Sequence, residues 1–365
     1  LANPGSATPN GNESGGNPCY DAPSVRFVVG AAAVGAFLAV DLGLVAYTSR
    51  VGALTRQRFL DAFYEVFGVH LGFRKNHAKG VAVTGHFTSN GNAAAFSRAV
   101  MFRPGETPVM GRFSLAGGNP SVTDTPGAAR GLGLVLGLPG AHQWRTAMLN
   151  LPVFLDNSPQ GFYDRLLASK VDDATGKPDP KIMADFLTQH PETEAAMVLV
   201  KKSAPTTGFA DSTFSGLNTF YLVDGDGGRT PVRWSFVPQQ QAVKPTPNQT
   251  NGLFDALIRQ LKTTPLHWVL RLTLGQPGDP VDPTLPWPAD RRSVEAGILT
   301  LTEAQTERAG NARDINFDPL VLPDGIAPSD DPLLSARSAV YAGSYRARTA
   351  EPKSAPPVQV EGVQP

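Results

Sequence analysis

Short apolar runs with strand periodicity, cut apart at close intervals by glycine and proline, constrain this chain to strands joined by turns rather than to a bundle of long helices. The runs are Gly80 to His86, Val109 to Ser114, Gly131 to Leu138, Thr219 to Val223 and His267 to Leu274. Polar, glycine- and proline-rich segments separate the first three, which fits antiparallel pairing better than a βαβ alternation. Thr213 to Asp226 and Arg229 to Pro238 read as a hairpin closed by Asp224-Gly225-Asp226-Gly227-Gly228. The 33 prolines and 37 glycines favour many turns and long connections and argue against an all-helical fold. Helices are expected at Gln57 to Phe67, Gly161 to Lys170, Pro180 to Gln189 and Leu253 to Thr263. The simplest architecture is α+β, an antiparallel barrel with helices packed outside it.

The 365 residues suffice for one large domain or two ordinary ones. A formal net charge of zero and no basic tract give no pull toward nucleic acid, so no nucleic-acid partner is expected. The single cysteine, Cys19, excludes an intramolecular disulfide and a cysteine zinc cluster.

Residues 1–24 are rich in Asn, Gly, Pro and Ser and read as a disordered tail. The segment 25–49 contains FVVGAAAVGAFLAVDLGLVAY, Phe27 to Tyr47, interrupted by one charge, Asp41. At ~1.5 Å per residue it reaches across roughly 30 Å of hydrocarbon, so it reads as one transmembrane anchor or signal-anchor. A cleaved secretory signal and a buried globular helix are the alternatives. Arg26 precedes the segment and Arg50, Arg56 and Arg58 follow it, a count that by the positive-inside rule keeps the body in the cytoplasm. The body is expected at 55–350, followed by a disordered tail over 351–365.

Two distant stretches carry chemistry. Arg74-Lys75-Asn76-His77-Ala78-Lys79-Gly80 brackets a histidine with basic and small residues, and Arg337-Ser338-Ala339-Val340-Tyr341 puts an arginine one helical turn before a tyrosine. Together they point to a haem site, with an acid/base on one side and a phenolate ligand on the other. Arg112-Phe113-Ser114, Asp124-Thr125 with Arg130-Gly131, Pro152-x-Phe154 and Phe317-Asp318-Pro319 lie between them in order. On these motifs the chain, from about Phe59 to Arg348, resembles the haem catalase superfamily and, within it, the small catalase-related peroxidases.

The resemblance implies an eight-stranded antiparallel β-barrel and a bound haem b. It makes His77 the distal acid/base and Ser114 the hydroxyl that orients it. Tyr341 becomes the iron ligand and Arg337 the cation supporting its phenolate. Arg74, Arg112 and Arg348 fall on propionate-binding positions, and Phe154 and Phe162 on the aromatic cover of the distal side.

Two residues depart from the family pattern. In Met148-Leu149-Asn150-Leu151-Pro152, Leu149 occupies the position of the distal amide, so either the amide is missing or a small shift lets Asn150 serve. Asn76 stands where catalases have valine. These departures favour reduction of hydrogen peroxide or organic peroxides by a small organic electron donor, with weak catalase activity. The alternatives are rearrangement of fatty-acid hydroperoxides, as in catalase-related allene oxide synthases, and a non-enzymatic haem or lipid carrier. Relatives of this group often act outside the cytoplasmic membrane, which implies a membrane-anchored, extracytoplasmic body against the arginine count. The chain ends soon after Tyr341, and the resemblance then implies a more open haem and at most a small homo-oligomer.

Overall fold

In chain order the body begins with α1 (Arg56–Phe67), β1 (Gly80–Ser89), β2 (Gly105–Leu115), β3 (Arg130–Leu136), β4 (Trp144–Leu149) and α2 (Pro159–Ala168). A small hairpin, β5 (Val171–Asp172) and β6 (Lys177–Pro178), precedes α3 (Pro180–Gln189) and α4 (Pro191–Lys202). Next come β7 (Phe214–Ser215), β8 (Phe220–Val223), β9 (Arg229–Pro238), α5 (Gly252–Thr263) and β10 (Leu266–Leu274). The last elements are β11 (Ser293–Gln305), β12 (Ile326–Pro328) and α6 (Pro332–Ala350). This computed structural model describes residues 54–364 except Leu138, Ala141, Pro205 and 246–248. The expected tail over 1–24 and the apolar segment at 25–49 lie outside the described residues. Among those described, no helix is long and apolar enough to cross a membrane.

Pairing runs β10-β11-β1-β2-β3-β4-β7-β9 and returns from β9 to β10, antiparallel throughout. Eight strands therefore close into a barrel without a free edge. β8 and β12 extend β9 outside the ring, and β8 with β9 forms the hairpin expected from the glycine-rich turn, with Val223 opposite Arg229. Closure needs a bulge where β1 shifts register against β11 between Thr84 and Gly85. A Cβ at Gly85 would lie 1.9 Å from the Thr300 carbonyl oxygen, so only glycine fits there.

Alternation sends Val109, Phe113 and Leu115 of β2 inward and leaves Met110, Arg112 and Ser114 on the outer wall. The interior is filled: Phe113 meets Phe214 at 5.6 Å and Trp268 at 5.8 Å, and Trp144 meets Trp234 edge-on at 5.0 Å. A carrier that holds its ligand inside the barrel has no room there. β4 escapes sequence reading because buried Thr146, which accepts from Trp234 Nε1 at 3.0 Å, breaks the apolar alternation. β11 escapes it because its register against β10 slips at Leu270/Arg271, so that Ala296 and Gly297 are both buried.

The expectation of a disordered tail over 351–365 is corrected by packing along 351–364. Val358 is fully buried, Pro357 O accepts from Asn251 Nδ2 at 2.9 Å, and Val360 O accepts from Lys262 Nζ at 3.0 Å. Glu351 accepts from Lys75 Nζ at 2.8 Å and from Gly72 N at 2.7 Å, tying the tail to the segment that leads into His77. The side-chain donors that meet the tail carbonyls, Asn251 and Lys262, lie about a hundred residues away in sequence, which is why composition alone misread the segment.

Candidate active site

A cavity with about 1140 Å³ of free space, its mouth included, lies between the outer barrel wall and helices α1, α2 and α6. α6 starts where Asp331 caps it, accepting from Leu333 N at 2.9 Å, with Pro332 at the first helical position. Its 3.6-residue period then puts Leu333, Arg337, Tyr341, Ser344 and Arg348 on one face, all lining the cavity. α1 contributes Phe59 and Phe63 and α2 contributes Phe162; their rings meet at 6.2 Å. Phe154 also lines the cavity.

His77 sits in the turn before β1 with φ of +56°, a left-handed conformation that costs a non-glycine residue energy. Asn76 Oδ1 holds it there, accepting from the His77 and Gly117 backbone N–H groups at 2.9 Å each. The His77 carbonyl accepts from Arg112 Nη1 at 2.8 Å, and His77 Nδ1 lies 3.0 Å from Ser114 Oγ. Burial first, then Arg112, Arg337 and Arg74, lower the imidazole pKa to about 3, so the ring is neutral near pH 7. Gly131 makes room for it: a Cβ there would stand 2.8 Å from Ser114 Oγ and 3.0 Å from His77 Nδ1. Gly131→Ala is expected to push the ring off Ser114 and slow the peroxide reaction that the resemblance implies by about 10–100-fold, the usual cost of losing an orienting partner. Stopped-flow rates, set beside an unchanged far-ultraviolet circular dichroism spectrum, check this.

Tyr341 packs against the cluster of Ala82, Val135, Ala312 and Phe317, and its hydroxyl makes no protein hydrogen bond among the described residues. Arg337 stands over that ring, 5.9 Å from its centroid, instead of bonding the phenol oxygen. Its Nη2 donates to Ala147 O at 3.0 Å and its Nη1 to Asn218 Oδ1. Asn218 is fully buried and donates Nδ2 to Asp331 Oδ2 at 2.7 Å, so the residue that caps α6 also anchors Arg337. The cation expected beside the phenol oxygen thus meets the ring face instead, because Asn218 and Ala147 take its donors.

Arg74, Arg112 and Arg348 converge at one end of the cavity. Arg112 forms a buried pair with Glu307, Nε to Oε1 at 2.7 Å and Nη2 to Oε2 at 3.1 Å. Among the described residues Arg74 and Arg348 hydrogen-bond backbone carbonyls rather than a carboxylate, both using Ile315 O, at 3.0 and 2.8 Å. Burial lowers the pKa of both, Arg348 to about 10, and Nε of Arg348 is buried with no partner. Three guanidiniums and one carboxylate leave two uncompensated positive charges. Two carboxylates of a ligand would neutralise them, which is the demand of haem propionates. The free phenol of Tyr341, the unpartnered arginine nitrogen and the apolar walls fit a haem.

Of the residues expected from sequence, His77, Ser114, Arg74, Arg112, Phe154, Phe162, Arg337, Tyr341 and Arg348 all line this cavity. Asn150 does not, and its expected role as distal amide is corrected. Its Oδ1 accepts from Arg130 N at 2.7 Å and its own N–H donates to Arg130 O at 2.9 Å, which turns the side chain onto the β3 backbone. Leu149 lines the cavity instead. Glu307 and Asn218 were missed, since each acts through a partner far away in sequence; Asp331 with Pro332 is a local helix-start signal, but its bond to Asn218 spans 113 positions.

A catalase family model matches residues 70–256. The catalase-related peroxidase of Synechococcus elongatus is 40% identical over 320 residues, covering 86% of this chain and 94% of that protein. The catalase-related peroxidase of Mycolicibacterium paratuberculosis is 30% identical over 316 residues, covering 84% and 99%. A bacterial catalase structure superposes with a TM-score of 0.68 at 21% identity, over 76% of this chain and 58% of that one. With the barrel, the cavity outside it and these likenesses together, the chain belongs to the catalase family, on its catalase-related peroxidase branch.

Proposed function

We propose that this protein is a haem b peroxidase that reduces hydrogen peroxide, or an organic peroxide, with a small organic electron donor, and has weak catalase activity. It is an oxidoreductase acting on peroxide. The observation that carries this reading is the pairing of a neutral His77, oriented by Ser114, with an unbonded Tyr341 phenol in a cavity where Arg74, Arg112 and Arg348 gather against the single carboxylate of Glu307. Tyr341 would ligate the iron, and Arg74, Arg112 and Arg348 would hold the propionates; bound haem supplies the redox chemistry of peroxide cleavage.

The protein's own part is proton transfer and exclusion of water. A base at Nε2 requires His77 to donate Nδ1–H to Ser114 Oγ, which fixes the tautomer. Nε2 then takes a proton from one peroxide oxygen and returns it to the departing one. Arg337, held by Asn218 and Ala147, keeps its guanidinium against the Tyr341 ring and so helps fix that ring in place. Phe59, Phe63, Phe154 and Phe162 keep the approach apolar. With Leu149 where a second amide was expected, a donor that reduces the oxidised enzyme is favoured over a second peroxide.

The pH dependence follows from His77. Its folded pKa lies below the ordinary 6.5, so the reactive neutral form persists down to about 3. Carboxylates paired to the arginines would relieve part of the repulsion and raise that value, while burial, the larger cause, remains. The second-order rate with peroxide is therefore expected to stay flat from pH 8 to about 5 and to fall on further acidification; a fall centred at 6.5 would contradict it. Between the folded and unfolded values the unfolded chain binds more protons at His77, so acidification through that window also costs stability.

The reading is tested on haem-loaded protein by absorption spectroscopy, oxygen evolution and oxidation of a phenolic dye. Tyr341→Phe is expected to change the spectrum and lose haem, and the native protein to oxidise dye faster than it evolves oxygen. Vigorous oxygen evolution with no dye oxidation would overturn the preference for a donor. We also propose that the segment at 25–49 anchors the enzyme, with its body outside the cytoplasmic membrane and free to form a homo-oligomer. The arginine count opposes that side, and protease accessibility in spheroplasts decides it.

A further inference from the structure

Asn76 immediately precedes His77 and lines the same cavity. Its Oδ1 accepts two backbone N–H groups, from His77 and from Gly117 across the loop, each at 2.9 Å. Two N–H donors can be met only by the oxygen, so the amide's orientation is fixed by the main chain. The Nδ2–H₂ group consequently occupies the other branch of a planar amide that cannot turn. No protein acceptor takes it among the described residues, and it is not one of the sealed polar atoms, so it keeps access to open space.

The rest of the wall near His77 offers little competition. Leu149 is apolar, and Asn150 has been turned onto Arg130. Asn316 is the other amide lining the cavity, but it belongs to the segment next to Ile315, whose carbonyl holds Arg74 and Arg348. Asn76 alone of the two is bonded to the His77 backbone, so its donor moves as one unit with the imidazole.

We propose that Asn76 is a catalytic residue of the peroxide reaction, its Nδ2–H donating a hydrogen bond to the peroxide oxygen beside the His77 ring. The inference rests on the peroxidase reading above. It assigns the distal amide to the residue before the histidine rather than to β4. A donor locked by two main-chain bonds needs no reorganisation as charge develops on oxygen, which is the condition under which one hydrogen bond is worth about 10²–10³ in rate. The same amide also holds His77 in its left-handed turn, so the test must separate the two roles.

Asn76→Asp keeps an oxygen for both backbone N–H groups and removes the donor, whereas Asn76→Val removes both. On the holoenzyme, the second-order rate with hydrogen peroxide is measured by stopped flow from pH 5 to 9, and cyanide affinity is titrated by absorption. Both variants are expected to lose about 10²–10³ in peroxide rate across that whole range, and to bind cyanide at least roughly tenfold more weakly. Amide hydrogen exchange at His77 and Gly117 is expected to stay native in Asn76→Asp. A new carboxylate that merely raised the histidine pKa would shift the acid limb and restore the rate at high pH, which would overturn the proposal. So would an Asn76→Asp rate within about threefold of native while Asn76→Val is slow, since the amide would then serve only the turn. A native holoenzyme inert to peroxide would sink the peroxidase reading itself, whereas unchanged cyanide affinity in Asn76→Asp would remove the donor role independently of it.

Discussion

Replacing His77 by asparagine is expected to slow the reaction with peroxide by about 10²–10⁴-fold, the usual worth of a positioned general acid–base group. Asparagine is the informative substitute because it tolerates the left-handed conformation that His77 adopts at φ +56°. The turn, the bonds from Asn76 Oδ1 and the contact of Arg112 Nη1 with the residue-77 carbonyl can all persist. What disappears is a group able to take a proton at one atom and return it. Melting temperature and haem content should therefore stay near native while the stopped-flow rate collapses. Ser114→Ala removes only the orienting hydroxyl and is expected to cost less, about 10–100-fold. Equal rates for His77→Asn and native enzyme would show that proton transfer does not pass through this residue.

Lys79→Met is expected to destabilise the body by about 3–5 kcal/mol, the cost of leaving a buried charge without its partner. Lys79 is 1% exposed, and its ammonium gives three hydrogen bonds, to Asp124 Oδ1 at 2.6 Å, Val122 O at 2.7 Å and Thr250 O at 2.6 Å. Asp124 in turn accepts at Oδ2 from Leu253 N at 2.9 Å and Phe254 N, at the first turn of α5. The lysine thus joins the loop after His77, the segment before β3 and a helix start through one atom. Burial raises the Asp124 pKa even with the lysine beside it. Without the cation the carboxyl holds its proton to still higher pH. Because the raised folded pKa lies above the unfolded one, stability in the variant should fall as pH rises through it. Thermal melting at several pH values checks both statements; a drop on the order of 10 °C at pH 7 is expected for a domain of this size. Lys79→Met combined with Asp124→Asn should recover part of the loss. A melting temperature unchanged in the single variant would mean that the pair is not needed for folding.

Much of the cavity was legible from sequence because it is built on periodic elements. Once α6 is a helix, Arg337, Tyr341 and Arg348 must share a face, and once β2 is a strand, Arg112 and Ser114 must. The hairpin of β8 and β9 was likewise announced by its glycine-rich turn. Where long-range bonds redirect a local pattern, reading along the chain failed. Asn150 was a plausible distal amide until the Arg130 backbone claimed it. The segment after Glu351 had the composition of a free tail, yet Val358 found a fully buried site on the body.

By itself the sequence determined the antiparallel barrel with outer helices, because strand and helix periods place side chains by counting, and the order of its motifs carried the resemblance that implied the two sides of the site. Only the tertiary structure decided that the barrel interior is full and the cavity lies outside it. It alone turned Arg337 onto the face of Tyr341 through Asn218, paired Arg112 with Glu307, and locked the Asn76 amide against His77 and Gly117. The physical reason is that a polar side chain points to whichever donors and acceptors the fold brings near, and those partners belong to segments that no local pattern connects.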